Sequence, residues 1–292
     1  MMRLAVSSYS FSKLMRQDDF SQLDTIKMAK ELGFDAIEFA EILNDPDTGK
    51  IEYAVRLKEE CDRIDLPVLN LAVSADLLYG SEGDIEKEIV KAKLNIDCAE
   101  ILGAKLMRHD VCWNIRPGDG RFRGYKVALP RLAYACKEIT KYGSEKGIKT
   151  MVENHGFFFQ DVDRVEALME EVDDPNFGLL ADMGNFLCVD QDPCYSIGRL
   201  APYIFYIHAK DFCFIDGMRI DVARAAEAGN AFIMTRSGNY LKPTVLGHGD
   251  VPVTQCLAVL EANGYKGDIA IEFEGMEDTR EALQSGLKFL RG

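Results

Sequence analysis

Short apolar runs rich in β-branched residues alternate along this chain with longer stretches of helical, 3.6-residue hydrophobic periodicity. The runs Leu4–Tyr9, Ala36–Phe39, Val68–Val73, Lys105–His109, Thr150–Asn154, Gly178–Asp182, Phe205–Ala209 and Ile269–Phe273 read as strands. Between them the periodicity predicts helices near Phe20–Leu32, Ile51–Ile64, Ile85–Leu102, Gly124–Lys146, Val162–Val172, Pro193–Leu200 and Thr254–Asn263, with a closing helix near Thr279–Leu290. Gly33, Gly103, Gly147 and Gly264 each stand just past a helix and before a strand, where a left-handed C-cap turns the chain back. Eight strand-helix units in 292 residues predict an α/β fold of the (β/α)8 TIM-barrel type, one domain over residues 1–292. An open doubly wound sheet would carry a glycine-rich fingerprint after its first strand, and Val6-Ser7-Ser8-Tyr9-Ser10-Phe11 has no glycine. One connection is out of proportion: Phe212–Gly249, an insertion after the seventh strand carrying Arg219, Arg224, Arg236, Tyr240 and His248. A long loop on that face reads as a lid or as an oligomer contact.

Composition narrows the class. At 47% hydrophobic residues the chain can bury a large core, and no Ser/Pro/Gly-rich linker divides it. A net charge of −14, without a Lys/Arg cluster interleaved with aromatics, argues against nucleic acid as a partner. The apolar run at the amino terminus is too short for a secretory signal, and nowhere do some eighteen apolar residues run uninterrupted. The expectation is a cytoplasmic protein with no membrane contact. Its eight cysteines are scattered without a C-x-x-C pair, the pattern of reduced, mostly buried thiols.

The chemistry concentrates at four strand ends. Met151-Val152-Glu153-Asn154-His155, Leu180-Ala181-Asp182-Met183-Gly184-Asn185, Tyr206-Ile207-His208-Ala209-Lys210-Asp211 and Ala270-Ile271-Glu272-Phe273-Glu274 are apolar runs that end on metal-binding side chains. Alternation puts Glu153 with His155, His208 with Lys210, and Glu272 with Glu274 on shared faces, which in a barrel open on the C-terminal mouth. Glu153, Asp182, His208 and Glu272 then offer three carboxylates and an imidazole to one divalent ion, Mn²⁺, Mg²⁺, Co²⁺ or Zn²⁺. Taken singly, each carboxylate has a competing reading as a helix N-cap or a surface ion pair, and His208 as a hydrogen-bonded core histidine. It is the recurrence of suitable residues at the same phase of consecutive units that favours the metal.

These segments, with Gly264-Tyr265-Lys266-Gly267-Asp268 ahead of the last strand, resemble the xylose isomerase-like TIM-barrel superfamily over essentially the whole chain, in particular its sugar isomerase and epimerase branch of ketose 3-epimerases and inosose-metabolising enzymes. The resemblance implies that Glu153, Asp182, His208 and Glu272 ligate the metal and that Glu153 and Glu272 are also the acid/base pair. It implies a sugar or polyol substrate, a ketose, inosose or sugar acid, turned over by proton transfer through an enediolate. It further implies a homodimer or homotetramer. The metal-dependent isomerase or epimerase has a direct rival in a dehydratase of a cyclic polyol ketone or sugar acid, since the same centre can expel a β-hydroxyl. An endonuclease IV-like hydrolase would need more histidines than the four present, and a non-catalytic sugar-binding barrel sits poorly with an intact ligand set. Ketose 3-epimerases carry a histidine three residues after the Asp ligand, where this chain has Asn185. His155 is then either a replacement imidazole or a partner of the metal site.

Weaker candidates for substrate contact are Glu38 at the end of the second strand, Arg108 and His109 at the end of the fourth, Lys210, Trp113 and His248. Arg108 and His109 have opposite phases, so only one of them faces the site. Lys210 or Arg219 would suit an anionic substrate group, with a surface salt bridge the plainer reading for Arg219. Trp113 could stack on a sugar or pack at an interface, and His248, flanked by glycines, could reach the site from the long loop.

Overall fold

Strands that are apolar on both faces, such as Val68–Val73, need cover on both sides, and a parallel sheet closed on itself inside a ring of helices supplies it. The computed structural model describes residues 2–17, 19–43, 48–113, 120, 122, 124–221 and 231–292. Its parallel strands are β1 (Leu4–Ser7), β2 (Ala36–Ala40), β3 (Val68–Val73), β4 (Leu106–His109), β5 (Lys149–Glu153), β6 (Phe177–Asp182), β7 (Ile204–Ala209) and β11 (Ile269–Ile271). They form a closed barrel in the order β1-β11-β7-β6-β5-β4-β3-β2. Between β7 and β11 lie β8 (Asp211–Ile215), β9 (Ile233–Met234) and β10 (Tyr240–Thr244), an antiparallel sheet ordered β8-β10-β9. The expected oversized loop therefore has structure of its own, although Arg224 falls outside the described residues.

The helices are α1 (Ser12–Met15), α2 (Gln22–Leu32), α3 (Lys50–Arg63), α4 (Ile85–Leu102), α5 (Tyr125–Glu145), α6 (Val162–Val172), α7 (Asn185–Cys188), α8 (Pro193–Leu200), α9 (Val253–Ala262) and α10 (Thr279–Arg291). Several start on a capping aspartate: Asp84 accepts from Lys87 N, Asp161 from Arg164 N, Asp192 from Tyr195 N and Asp278 from Glu281 N. Gly33 and Gly103 close α2 and α4 at φ of 89° and 76°, a conformation in which a Cβ would clash with the following carbonyl.

The chain clusters into two compact halves, residues 1–37, 181–202 and 206–292 in one, and 38–180 with 203–205 in the other. The cuts fall inside β2, β6 and β7, so those three strands run unbroken from one half into the other. In the first half β1 pairs with β11 and β11 with β7, Leu4 lying opposite Ile269 and Ala270 opposite His208. The ladder of β11 stops at Ile271, two residues short of expectation, because Ser10 takes over. Its hydroxyl donates to Ile271 O at 3.3 Å and accepts from Phe273 N at 2.9 Å. The second half is the run β3-β4-β5-β6, with Asn70 opposite Leu106, Met107 opposite Thr150, and Glu153 opposite Leu180. Gly178 on β6 lies under the Phe205 ring, where an added Cβ would come within 2.5 Å of ring carbon.

All eight cysteines are free thiols, and two of them meet: Cys194 on α8 and Cys256 on α9 have their sulfurs 3.6 Å apart. Small side-chain rotations bring that spacing to the roughly 2.05 Å of a bond. Diamide treatment is expected to take one hydrogen from each thiol and to link the peptides carrying Cys194 and Cys256. Mass mapping checks this, and a Cys194→Ser chain that forms the same crosslinked species would contradict it. Among the described residues no helix is long and apolar enough to cross a membrane.

Candidate metal centre

Four strand ends converge. Glu153 ends β5, Asp182 ends β6, His208 is the penultimate residue of β7, and Glu272 follows β11, its N–H still donating to Ala209 O. Each of the four residues offers one ligand atom, and these atoms all lie within 4.8 Å of one another. Glu153 is registered opposite Leu180, and Asp182 continues that same strand two residues on, so the sheet itself sets their relation. At about 2.0–2.3 Å per bond, donors on opposite sides of one ion stand roughly 4.0–4.6 Å apart, so the cluster is already close to the size that one divalent cation requires. Three carboxylate oxygens and a nitrogen suit the hard-to-borderline ions Mn²⁺, Mg²⁺, Co²⁺ and Zn²⁺.

Local backbone aims these groups. Asp182 Oδ1 accepts from Gly184 N at 2.8 Å and Asn185 N at 2.9 Å, at the turn leading into α7, which fixes the carboxylate plane and presents Oδ2 to the centre. His208 Nδ1 stands 3.6 Å from Glu272 Oε2 and 3.9 Å from Asp182 Oδ2, beyond hydrogen-bond reach of both. Lys210, buried, brings its ammonium to 2.5 Å from Glu272 Oε2, 3.0 Å from Glu274 Oε1 and 3.1 Å from Asp182 Oδ2. A cation is thus already accommodated among these carboxylates. Burial alone would push the Glu272 carboxyl up, but the charges of Lys210 and His208 override it and hold the group well below the usual carboxylate range.

In the other half, Arg108 Nη2 pairs with Glu153 Oε2 at 2.5 Å and with Asp110 Oδ1 at 3.0 Å, while Nη1 donates to Val73 O. Asp110 Oδ1 also meets His155 Nδ1 at 2.9 Å. Burial works against the charged form of both partners, yet Arg108 and the His155 hydrogen bond keep Asp110 below its usual pKa, and Asp110 and Glu153 raise that of His155. Half-exposed Trp113 packs edge-on against the His155 ring, centroids 4.7 Å apart. That approach needs Gly156, at φ of 79°, whose added Cβ would press on Cys112 O and Trp113 Cα.

The remaining candidates are dispersed. Glu38 is buried on β2 and accepts from Asn70 Nδ2 at 2.8 Å. Asn185 is buried on α7 beside Asp182. His248 is exposed on the turn before α9, and Arg219 pairs with Asp216 at the surface. His109 lies on the other face of β4 from Arg108, among residues of α3 and α4 rather than at the acidic cluster. As the phase argument requires, only Arg108 reaches Glu153. Two anchors escaped the sequence reading, Asp110 and Asp211. Asp211 is buried and takes four backbone N–H groups, from Phe212, Gly247, Gly249 and Val251.

Burial lowers the pKa of His109, against smaller raising effects from the Asp110 carbonyl and carboxylate. The unfolded chain therefore binds a proton first as pH falls through about 6.5, and stability drops below that pH. Arg108, Asp110, Glu88, Lys91, Lys50 and Glu41 are the charged groups around it. Wild type is expected to lose more urea resistance between pH 7.5 and 5.5 than His109→Gln does. Equal losses in the two proteins would contradict this.

The family model described as xylose isomerase-like TIM barrel matches residues 26–292. The chain belongs to that family. Among curated relatives of this xylose isomerase-like barrel, an inosose dehydratase from Clostridium beijerinckii is 27% identical over 228 residues, 75% of this chain and 72% of the other. A probable 3-DHS dehydratase involved in petrobactin synthesis in Bacillus anthracis superposes with a TM-score of 0.74 at 18% identity, covering 100% of this chain and 99% of that one. An L-ribulose 3-epimerase gives 0.75 at 16% identity over 100% and 94%. At those identities the structural likeness establishes the fold and nothing finer.

Proposed function

We propose that this protein is a divalent-metal-dependent dehydratase acting on an uncharged cyclic polyol ketone. One observation carries the reading: three carboxylates and an imidazole with ligand atoms within 4.8 Å, beside cations that are already paired. Arg108 is shared by Glu153 and Asp110, and Lys210 by Asp182, Glu272 and Glu274. A phosphate or carboxylate on the substrate would have to take Arg108 from Glu153 and Asp110, leaving a buried carboxylate unmatched at a cost of several kcal/mol, or take Lys210 from Glu274. A neutral polyhydroxylated ring makes no such demand. The inosose dehydratases among the curated relatives support the same class of reaction.

A bound Mn²⁺, Mg²⁺, Co²⁺ or Zn²⁺ would polarise a carbonyl and its neighbouring hydroxyl and make the C–H between them acidic. The chain supplies the rest. In this reading Glu153 and Glu272, at the ends of different strands, take and return the proton. Elimination also requires a donor for the departing hydroxyl, and His155, whose pKa Asp110 and Glu153 raise against burial, and the Lys210 ammonium are the two at hand. Trp113 offers an apolar edge beside His155 for one face of a ring.

Epimerisation is the second reading, favoured by the same pair of glutamates, since proton removal on one side and return on the other inverts a carbon. Incubation of the Mn²⁺-loaded protein in deuterated water with inososes, ketoses and sugar acids separates the two. Loss of water to an unsaturated product supports the dehydratase. Deuterium at one carbon without water loss supports the epimerase, and neither change with metal demonstrably bound removes both.

A further inference from the structure

The helices of a barrel turn an apolar stripe to the sheet and a polar one to water, and a Val, Leu or Ile left on the outer stripe is ordinary when it stands alone. In this chain they do not stand alone. Among the described residues six aliphatic side chains are exposed by more than a third: Leu43, Ile51, Val55, Val90, Leu94 and Val127, at 39–66%. Five sit on α3, α4 and α5, three consecutive helices of the ring, and Leu43 on the connection leading into α3. The other described helices expose no Val, Leu or Ile to that degree.

Spacing turns these residues into rows. Ile51 and Val55 are four apart on α3, Val90 and Leu94 four apart on α4, and on α5 Val127 and exposed Tyr134 are seven apart, so each helix presents one row outward. Hydrogen bonds between the helices align the rows. Lys50 Nζ donates to Asn95 Oδ1 at 2.7 Å, which sets the first turn of α3 beside Leu94. Tyr134 OH donates to Glu86 Oε1 at 3.1 Å, one turn from Val90, and Tyr142 OH to Asp97 Oδ1 at 2.8 Å. The result is one preformed apolar face, lying wholly within the half that contains residues 38–180.

Size and charge say what it meets. Three helices spaced 8–10 Å apart, rising 1.5 Å per residue, span roughly 25 Å by 25 Å, close to the ~800 Å² that each partner contributes to a standard protein interface. Lys and Arg stand to Asp and Glu as four to four on α3, three to four on α4 and four to two on α5, so the face is about neutral while the whole chain carries −14. Brought together elsewhere, two copies of so acidic a chain meet net repulsion. Here acids and bases are interleaved around an apolar centre, the make-up of an interface core with a polar rim. An anionic lipid surface would be repelled by the negative charge of the rest of the molecule.

We infer that α3, α4 and α5 form the face by which this chain binds a second copy of itself, the same rows meeting about a twofold axis beside α4, the middle helix of the three. A twofold contact uses one patch on both copies, which a neutral face with both signs of charge can satisfy. The interface lies on the ring of helices and not on the insertion after β7. None of its residues belongs to the metal centre, so it stands apart from the dehydratase reading.

Sedimentation equilibrium of the full chain tests this with two double variants, Val90→Glu with Leu94→Glu and Val90→Lys with Leu94→Lys, and with Met234→Glu on β9 as a control away from the face. All of these positions are exposed, and circular dichroism checks that each variant folds. Wild type and Met234→Glu are expected to be dimers at micromolar concentration, and each double variant alone a monomer whose self-association is weaker by about 100-fold or more. An equimolar mixture of the two double variants is expected to dimerise again, because their opposite charges meet only if the face packs on itself. A monomeric wild type, a dimer that survives both double changes, or a mixture that stays monomeric would overturn the inference. A monomeric wild type that floats with phosphatidylserine vesicles would assign the face to a membrane and overturn it as well.

Discussion

Replacing Glu272 by glutamine is expected to lower kcat about 10²–10⁴-fold in the proposed reaction, the usual cost of removing a general acid or base. The amide keeps the shape of the side chain and one of its acceptor oxygens. It gives up the charge that Lys210 and His208 stabilise, and with it the proton acceptor and the anionic ligand that the proposed reaction assigns to this residue. Two readouts distinguish this from misfolding. Isothermal titration should find weaker Mn²⁺ binding, while the circular dichroism spectrum and a cooperative unfolding transition are kept, with a lower midpoint because Lys210 loses a partner. A variant that keeps its rate within tenfold would remove Glu272 from the chemistry.

The second large effect is on stability. Asp211→Ala takes the acceptor away from Phe212 N, Gly247 N, Gly249 N and Val251 N, all between 2.9 and 3.1 Å from its carboxylate. Burial pushes this carboxyl up in pKa, and the N–H groups pull it back. Some of the freed donors near Gly247 and Gly249 can reach water, whereas Phe212 and Val251 are buried. The expected loss is about 3–5 kcal/mol, a fall in Tm of roughly 6–15 °C. Asp211→Asn, which keeps one acceptor oxygen, should fall between. Calorimetry checks the order, and an alanine variant as stable as wild type would show that the turn holds itself.

Much of this molecule was legible in its sequence where local signals and burial agree. Helices at Ile85–Leu102, Val162–Val172 and Pro193–Leu200 fall where periodicity and a capping aspartate coincide. Glu153, Asp182, His208 and Glu272 could be picked out because each interrupts an apolar strand at the same phase, and the structure brings their ligand atoms together. What stayed hidden depends on partners distant in sequence. Asp110 looks like any acid after a strand until His155, 45 residues on, lies 2.9 Å away. The small sheet was masked by Pro243, which lacks the N–H that a strand with two neighbours needs. The fold tolerates it because Pro243 lies opposite Phe212 of β8, while among the described residues β9 pairs with Tyr240 and Leu241.

Lys210 has a consequence for how such a protein lives between syntheses and use. Its tethered ammonium sits against the same oxygens that a divalent ion would seek, so the freshly folded chain is born with its repulsion already quenched. Loading of a divalent ion would then be an exchange of one cation for another rather than the filling of a void, and the displaced arm would remain within reach of Glu274. A molecule without an ion would then wait folded rather than fall apart.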